Sequence, residues 1–274
     1  MLHSPPSNID KTYFNKGSFG KVYKVYSPKY QDFIAAKAIN VNLNETENKN
    51  KTMAMITREL YAWDTLTKSN CKYNNKLLEF EDTNDENFVF YSKFHPKGAL
   101  SATYTNSFLI EQVKMVRDIA KGIKECHDNN LCHADIKLEN ILITNQKDYI
   151  LTDYGNTDVC ESETFGLYNR RGTIFYMAPE VLLREYGKNT DVWSLGILAY
   201  MLFTYGDHPI FKNKDVAGSI PYHQAVDMLL HSEIQMPESV STHLITDFLT
   251  KTLSRDKYQR LTIDEVLKHP LLKL

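Results

Sequence analysis

The spacing of apolar and polar positions changes about a third of the way along the chain. Before that point, short apolar segments alternate with turn residues, which predicts strands at residues 12–14, 21–26 and 33–39. A further apolar and aromatic run at 88–94 predicts a buried strand. Segments this short and this closely spaced indicate a small antiparallel sheet.

Helical spacing appears once within this first part and dominates the rest. At residues 53–66 apolar side chains recur every three or four positions, which predicts one amphipathic helix beside the sheet. The polar, Asn-rich stretch at 40–51 predicts a solvated loop with little order. Beyond residue 98 the spacing predicts helices at 108–127, 191–203, 222–230, 243–252 and 263–268.

This change of pattern predicts an α+β fold with two lobes. Residues 1–94 would form the small antiparallel-sheet lobe with its one main helix, and residues 95–274 the larger, mostly helical lobe. We expect a single domain over residues 1–274. The composition agrees, because 42% hydrophobic and 24% charged residues are typical of a globular protein with a sizeable core.

Charge and cysteine content narrow the function classes. Lys and Arg total 32 against 34 for Asp and Glu, so the net charge of -2 creates no field that would attract nucleic acid or an anionic membrane. The apolar run at 192–203 is shorter than the roughly 20 residues that span a bilayer, and residues 1–9 lack a signal-peptide pattern. The four cysteines form no C-x-x-C pair and are expected to be reduced thiols. We therefore expect a cytoplasmic protein, with the nucleus as the alternative.

Candidate chemistry begins in the predicted sheet. Residues 15–22 form a turn in which Gly17 and Gly20 would let backbone N–H groups approach phosphates, although most such turns are plain hairpins. Lys37 lies within an apolar strand, where a surface lysine at the sheet edge is the alternative. Glu59 on the following helix could pair with an inward-pointing Lys37, and a paired lysine is a preorganised phosphate ligand.

The strongest motif is Cys-His-Ala-Asp-Ile-Lys-Leu-Glu-Asn at residues 132–140. The alternative is structural, with Asp135 capping a turn and Lys137 solvated. Asp153-Tyr154-Gly155 follows, and then Ala178-Pro179-Glu180. Asn140 and Asp153 offer the hard oxygen donors that Mg²⁺ takes together with nucleotide phosphates.

These motifs, in this order and spacing, resemble the signature set of eukaryotic protein kinases from Phe14 to Pro270. The resemblance implies a bilobal protein-kinase-like fold that uses ATP and Mg²⁺. It implies that Lys37 binds the α- and β-phosphates with Glu59 as its ion-pair partner. It further assigns Asp135 as catalytic base, with Lys137 beside it, and gives the metal to Asn140 and Asp153.

The resemblance also implies the walls of a nucleotide pocket. The phosphate loop would comprise Phe14, Asn15, Lys16, Gly17, Ser18, Phe19, Gly20, Lys21 and Val22. Adenine would lie between Val22 and Ala35 above and Leu142 below, with Ser92 as gatekeeper and a hinge made of Lys93, Phe94 and His95. Structural roles in the activation segment and large lobe would fall to Thr173, Glu180, Asp191 and Arg260, with Arg260 paired to Glu180.

Lys137 and the Gly172-Thr173 pair resemble the serine/threonine group, so we expect transfer of the ATP γ-phosphoryl group to Ser or Thr of protein substrates. Glu139 would bind a basic substrate residue or remain a solvated carboxylate. The alternatives are a pseudokinase acting as a nucleotide-binding scaffold, which the intact set of polar residues disfavours, and a kinase for small molecules. Nothing in the sequence indicates an oligomeric state.

Three residues depart from the family pattern. Asn15 replaces the first glycine of the phosphate loop, and asparagine tolerates unusual backbone angles. Tyr154 replaces the usual phenylalanine, so its hydroxyl needs a partner if the ring is buried. Ala134 replaces the arginine that typically pairs with a phosphorylated residue of the activation segment. The chain thus resembles the subgroup without this arginine, for which we expect activity without activation-segment phosphorylation.

Overall fold

The computed structural model describes residues 12–16, 20–41, 46–83, 87–104, 107–160, 165–166, 173–211, 220–237 and 242–274. A five-stranded antiparallel sheet in the order β1-β2-β3-β5-β4 forms the first part. Its strands are β1 (Thr12–Lys16), β2 (Lys21–Ser27), β3 (Asp32–Asn40), β4 (Leu77–Asp82) and β5 (Asn87–Lys93), and α1 (Thr46–Lys68) lies between β3 and β4.

Helices and short strand pairs make up the second part. The helices are α2 (Leu109–Asp128), α3 (Pro179–Leu182), α4 (Lys188–Phe203), α5 (Tyr222–His231), α6 (His243–Thr252) and α7 (Ile263–Lys268). The strands pair as β6 (Leu131–Cys132) with β9 (Asp158–Val159), β7 (Ile141–Ile143) with β8 (Tyr149–Leu151), and β10 (Phe165–Gly166) with β11 (Glu185–Tyr186). This arrangement matches the predicted α+β fold class.

Helix α1 begins earlier than the sequence predicts. Residues 46–51 are helical, which corrects the prediction of a loop over that stretch. The first described side chains there, Lys49, Asn50 and Lys51, are partly or fully exposed. Because these turns carry no apolar face, hydrophobic spacing gives no signal for them, and the helix simply extends outward from its buried end. Residues 42–45 of the same predicted loop lie outside the described residues.

The side chains of strand β3 alternate between the two faces of the sheet. Ile34 and Ala36 pack with Val25 on one face, while Ile39 belongs to the main core on the other. Successive side chains of a strand point to opposite faces, so Lys37 shares the face of Ile39. The register places Lys37 between Val22 of β2 and Phe90 of β5, which makes β3 an interior strand and excludes the sheet-edge alternative.

Helix α4 is the centre of the helical part. It is apolar on all sides and nearly all of its residues are buried, including Trp193 and Phe203. Gly196 lets α6 approach closely, because a Cβ there would lie 2.8 Å from both Thr252 Oγ1 and Leu253 Cδ2. Within the part of the chain that the structure describes, none of the helices combines the length and apolar character needed to cross a bilayer.

The cysteines differ from the sequence prediction of four reduced thiols. Cys132 and Cys160 form a disulfide, whereas Cys71 and Cys126 are free and buried. The reason is the β6–β9 pairing, which brings the Cα atoms of Cys132 and Cys160 to 5.9 Å, a separation typical of disulfides. A sequence separation of 28 gives no motif from which this pairing could be read.

A buried ion pair joins α3 to the chain after α6. Arg260 donates from both terminal nitrogens to the Glu180 carboxylate, with Nη2 3.0 Å from Oε2. Arg260 also donates to the carbonyl oxygens of Ser254 and Asn189. Four of the five N–H groups of the guanidinium therefore have a hydrogen-bond partner, and Arg260 and Glu180 form the predicted pair.

Removing Arg260 should strongly destabilise the fold. The Arg260→Leu variant leaves Glu180 buried without its counter-charge, and we expect the free energy of unfolding to fall by about 3–5 kcal/mol. Urea unfolding followed by circular dichroism measures the change. The control is Lys68→Ala, which breaks the exposed Lys68–Asp64 pair and should change stability by less than about 1 kcal/mol. Equal effects of the two variants would contradict a special role for the buried pair.

Candidate active site

A cavity of about 550 Å³ lies between the sheet and the helical part. Several predicted pocket residues line it: Val22, Ala35, Lys37, Glu59, Ser92, Lys93, Phe94, His95 and Leu142. Lys137, Glu139, Asn140, Asp153 and Thr173 line it as well. The structure thus brings residues from the sheet, α1 and the segment after α2 to one cavity.

Lys37 lies at the centre of a buried charge cluster. Its Nζ is 2.6 Å from Glu59 Oε1 and 2.6 Å from Asp153 Oδ1. Burial alone would lower the pKa of Lys37, but the two carboxylates outweigh it and raise the pKa above its usual value. Burial raises the pKa of Glu59, whereas for Asp153 the attraction of Lys37 outweighs burial and holds the pKa below its usual value. The lysine therefore stays charged inside the cavity.

Asp191 at the start of α4 holds the segment that leads to Asp135. Its carboxylate accepts the backbone N–H groups of His133 and Ala134, each at 2.9 Å, and lies 3.0 Å from Nε2 of His127. Ala134 has φ = 69°, in the left-handed region that non-glycine residues rarely adopt. The two hydrogen bonds to Asp191 stabilise this turn and thereby fix the backbone position of Asp135, the next residue.

Asp135 accepts hydrogen bonds on both carboxylate oxygens. Oδ1 receives the backbone N–H and the hydroxyl of Thr173, both at 3.1 Å. Oδ2 receives Lys137 Nζ at 2.8 Å, Asn140 Nδ2 at 3.1 Å and Asn156 Nδ2 at 3.3 Å. This network excludes the alternative of a solvated Lys137 and an Asp135 that only caps a turn. It instead fixes the orientation of the carboxylate from several directions.

The hinge side of the cavity contains polar groups behind Ser92. Ser92 Oγ accepts from Asn75 Nδ2 at 3.2 Å, and Trp63 donates its ring N–H to the Asn75 carbonyl at 2.6 Å. Burial lowers the pKa of His95 to about 4, so its ring is neutral at neutral pH. Among the described residues, His95 Nε2 has no hydrogen-bond partner.

Part of the predicted phosphate loop can be located. Gly17, Ser18 and Phe19 lie outside the described residues, and Phe14, Asn15 and Lys16 lie on β1, which pairs with β2. Gly20 is the first described residue after that gap, and a Cβ there would lie 2.6 Å from the Ala38 carbonyl oxygen. Lys21, the first residue of β2, is exposed. Gly20 is therefore required by its close approach to β3.

Sequence reasoning missed several residues of the site. Asn75, Thr152 and Trp63 line the cavity, and Asn156 contacts Asp135. Of these, Trp63 lies within the helix predicted at residues 53–66, where the spacing identifies it only as an apolar position. The polar three belong to no spacing pattern, so only the folded arrangement identifies them.

The comparison with known families identifies the family to which a chain with this set of site residues belongs. Residues 12–272 match the family described as Protein kinase domain. The chain belongs to the protein kinase family. This membership confirms the predicted fold class and agrees with the resemblance drawn from the motifs.

Relatives of this kinase carry serine/threonine kinase names. The chain is 30% identical over 251 residues to the "Serine/threonine-protein kinase shk1/pak1" of Schizosaccharomyces pombe, covering 88% of this chain and 36% of that protein. It is 25% identical over 272 residues to the "Serine/threonine-protein kinase PLK4" of Drosophila persimilis, covering 94% and 32%. It is 28% identical over 273 residues to the "Testis-specific serine/threonine-protein kinase 2" of Mus musculus, covering 94% and 71%. The chain spans about a third of the length of the yeast and fly relatives.

The Thr173 hydroxyl should matter for turnover by this kinase. It donates to Asp135 and accepts from Lys137 at 3.0 Å, so it links two groups of the site. Thr173→Val keeps the shape but removes the hydroxyl, and we expect kcat to fall about 10- to 100-fold, as for loss of a hydrogen bond to a charged group. Steady-state kinetics with peptide and ATP measures it. Thr173→Ser keeps the hydroxyl and should stay within a few-fold of the parent; equal losses in both variants would contradict the role of the hydroxyl.

Proposed function

We propose that this kinase binds ATP with Mg²⁺ in the cavity and transfers the γ-phosphoryl group to serine or threonine hydroxyl groups of protein substrates. The observation that carries the proposal is the convergence of two charged clusters on one cavity. Lys37, Glu59 and Asp153 form the first cluster, and Asp135 with its donors forms the second. The first suits phosphate and metal binding, and the second suits a reacting hydroxyl.

The residues present fit a magnesium ion. Asn140 donates from its amide nitrogen to the backbone oxygen and Oδ2 of Asp135, at 2.8 and 3.1 Å, which leaves its amide oxygen available as a cation ligand. Asp153 binds Lys37 through Oδ1 and has a second carboxylate oxygen. Carboxylate and carbonyl oxygens are the donors that Mg²⁺ prefers. Bound there, the ion would neutralise negative charge on the phosphates.

The protein groups then have separate tasks in the transfer. Lys37 would hold the α- and β-phosphates, and Glu59 keeps the ammonium in place. Asp135 would orient the substrate hydroxyl and accept its proton as the oxygen bonds to the γ-phosphorus and the bond to the β-phosphate oxygen breaks. Lys137 lies 2.8 Å from Asp135 Oδ2, where its charge can also stabilise charge on the transferring group.

Several wider expectations remain part of this proposal. Residues 1–274 would form a single kinase domain divided at residue 94. The protein would bind ATP and protein substrates but neither nucleic acid nor membrane. The sequence expectation about Ala134 also applies: without an arginine at this position, the kinase would not depend strongly on activation-segment phosphorylation.

The first test separates the base from the metal ligand. Asp135→Asn should still bind Mg²⁺·ATP, because Lys37 and Asp153 are unchanged, while turnover falls by roughly 10²- to 10⁴-fold. Asp153→Ala should lose Mg²⁺-dependent nucleotide binding, since Asn140 alone offers one neutral oxygen. Isothermal titration measures binding, and labelled ATP with a peptide library measures transfer. Parent-level transfer by Asp135→Asn, or unchanged Mg²⁺·ATP affinity in Asp153→Ala, would show the corresponding assignment to be wrong.

The second test concerns activation. In the sequence, Thr157, Ser162, Thr164 and Tyr168 are candidate phosphorylation sites, and Arg170 and Arg171 could bind the added phosphate. Thr157 is buried and donates its hydroxyl to the His133 carbonyl at 3.2 Å, so it is not accessible to modification. The other candidates, Ser162, Thr164 and Tyr168, and their candidate partners Arg170 and Arg171, lie outside the described residues. Because Ala134 offers a phosphate no cationic partner, dephosphorylated protein should remain substantially active.

Phosphatase treatment provides the measurement. Mass spectrometry verifies that residues 153–180 carry no phosphate, the phosphatase is removed, and peptide turnover is compared with untreated enzyme. We expect activity within a few-fold. A loss of about 10²-fold or more, equivalent to about 2.7 kcal/mol of transition-state stabilisation, would refute independence from phosphorylation.

A further inference from the structure

Tyr154 places a hydroxyl where the family usually has only an apolar ring. The side chain is fully buried, with its ring 5.6 Å from that of Trp63 and 5.5 Å from that of His133, centroid to centroid. Burial raises the pKa of Tyr154 well above its usual value, so the group stays a protonated donor. A buried donor without an acceptor is destabilising, so its partners are informative.

Two oxygens lie within hydrogen-bond distance of this hydroxyl. The Leu151 carbonyl, at 3.0 Å, is local in sequence and already accepts the Asn75 backbone N–H at 2.8 Å. Asn74 Oδ1, at 3.2 Å, belongs to a distant segment between α1 and β4. The second contact is therefore the one that ties Tyr154 to another part of the molecule.

The orientation of the Asn74 amide is fixed by its other contacts. Its nitrogen donates to the Gly122 carbonyl at 3.0 Å and to the Glu125 carboxylate at 2.9 Å, and both of these groups are acceptors only. The amide oxygen must therefore face the Tyr154 hydroxyl. It also faces the thiol of Cys126, whose sulfur lies 3.4 Å away. Asn74 is itself buried, so its oxygen has no bulk water to replace a lost donor.

The backbone around Asn74 is held in place by hydrogen bonds on both sides. The Glu125 carboxylate on α2 accepts the backbone N–H groups of Lys72 and Tyr73, each at 2.8 Å. Leu151 donates its backbone N–H to the Tyr73 carbonyl at 2.9 Å. The segment at 72–74 is therefore held on one side by α2 and on the other by the strand that leads to Tyr154.

The residue next to Tyr154 is Asp153, which has φ = 66°. This left-handed conformation costs more than the extended or helical regions for a residue other than glycine, although aspartate tolerates it better than most, so the surroundings of Asp153 must stabilise it. If the Tyr154 ring left the gap between Trp63 and His133, its hydroxyl would leave Asn74 and the backbone at Asp153 would be released. We infer that Asn74 is a positioning residue, whose amide oxygen holds the Tyr154 hydroxyl and thereby keeps the Asp153 carboxylate turned towards the cavity.

This inference rests on the proposed role of Asp153 as a metal ligand. Its test is Tyr154→Phe, which keeps the ring and removes only the hydroxyl. We expect the dissociation constant for Mg²⁺·ATP to rise about 3- to 10-fold, the factor for one net hydrogen bond, while the dissociation constant for metal-free ATP stays within about twofold. In an Asn74→Ala background only the Leu151 carbonyl remains as an acceptor for this hydroxyl, so Tyr154→Phe should cause a smaller additional loss than it does in the parent.

A matched control separates positioning from stability. Tyr149→Phe also removes the hydroxyl of a buried tyrosine, which donates to Glu111 at 3.1 Å, but leaves the cavity walls unchanged. Both variants should lose stability in urea, whereas only Tyr154→Phe should weaken Mg²⁺·ATP binding. If Asn74→Ala does not fold, Asn74→Ser takes its place in the double variant, since the shorter side chain also removes the amide oxygen from the Tyr154 hydroxyl.

The outcomes distinguish the positioning role of Asn74 from the proposed metal-ligand role of Asp153, on which it rests. If Tyr154→Phe binds Mg²⁺·ATP within twofold of the parent, or no more weakly than Tyr149→Phe, while Asp153→Ala loses metal-dependent binding, the positioning role of Asn74 is refuted and the metal assignment stands. If Asp153→Ala retains metal-dependent binding, the metal assignment fails and this inference fails with it.

Discussion

The buried ammonium group of Lys37 is the constraint on which the arrangement of the site depends. Moving an ammonium ion out of water costs several kcal/mol even after relaxation, and the cost is offset only by well-placed counter-charges. Those charges come from Glu59 on α1 and Asp153 after β8, each 2.6 Å from the lysine. The sheet, helix α1 and the turn that carries Asp153 must therefore assemble together, because the absence of any one of them would leave a buried charge without its partner.

A second, independent anchor sets the opposite wall of the cavity. Asp191 belongs to the most deeply buried helix of the fold and binds the backbone that precedes Asp135. The position of the candidate base is thus determined by the helical core, whereas the position of Lys37 is determined by the sheet. Asn140 and Thr173 then fix the carboxylate itself, so the reacting groups are oriented before a substrate arrives.

The sequence predicts those parts of the molecule that depend on local pattern or on a motif. The strand of Lys37, the helix of Glu59 and the Asp135 motif are all predictable, because apolar spacing and fixed residue types encode them directly. Strand β4 was not predicted, since every one of its side chains is at least partly exposed and its pairing partner decides its conformation. Asn74, Asn75 and Asn156 were missed for the same reason: an asparagine gains a role only from the groups that folding brings to it.

The disulfide is another long-range pairing, and it encloses the segment that contains Asp135. Cys132 directly precedes His133, and Cys160 follows the turn that carries Asp153, so the bond closes a loop that contains Asp135, Asn140 and Asp153. Backbone hydrogen bonds reinforce the closure, because the Cys160 N–H donates to the Asn130 carbonyl at 2.7 Å and β6 pairs with β9. A closed loop has fewer unfolded conformations than an open one. The closed loop therefore adds to the restraints that Asp191 and Lys37 place on Asp135 and Asp153, and the hydrogen bonds of Tyr154 lie within the same loop.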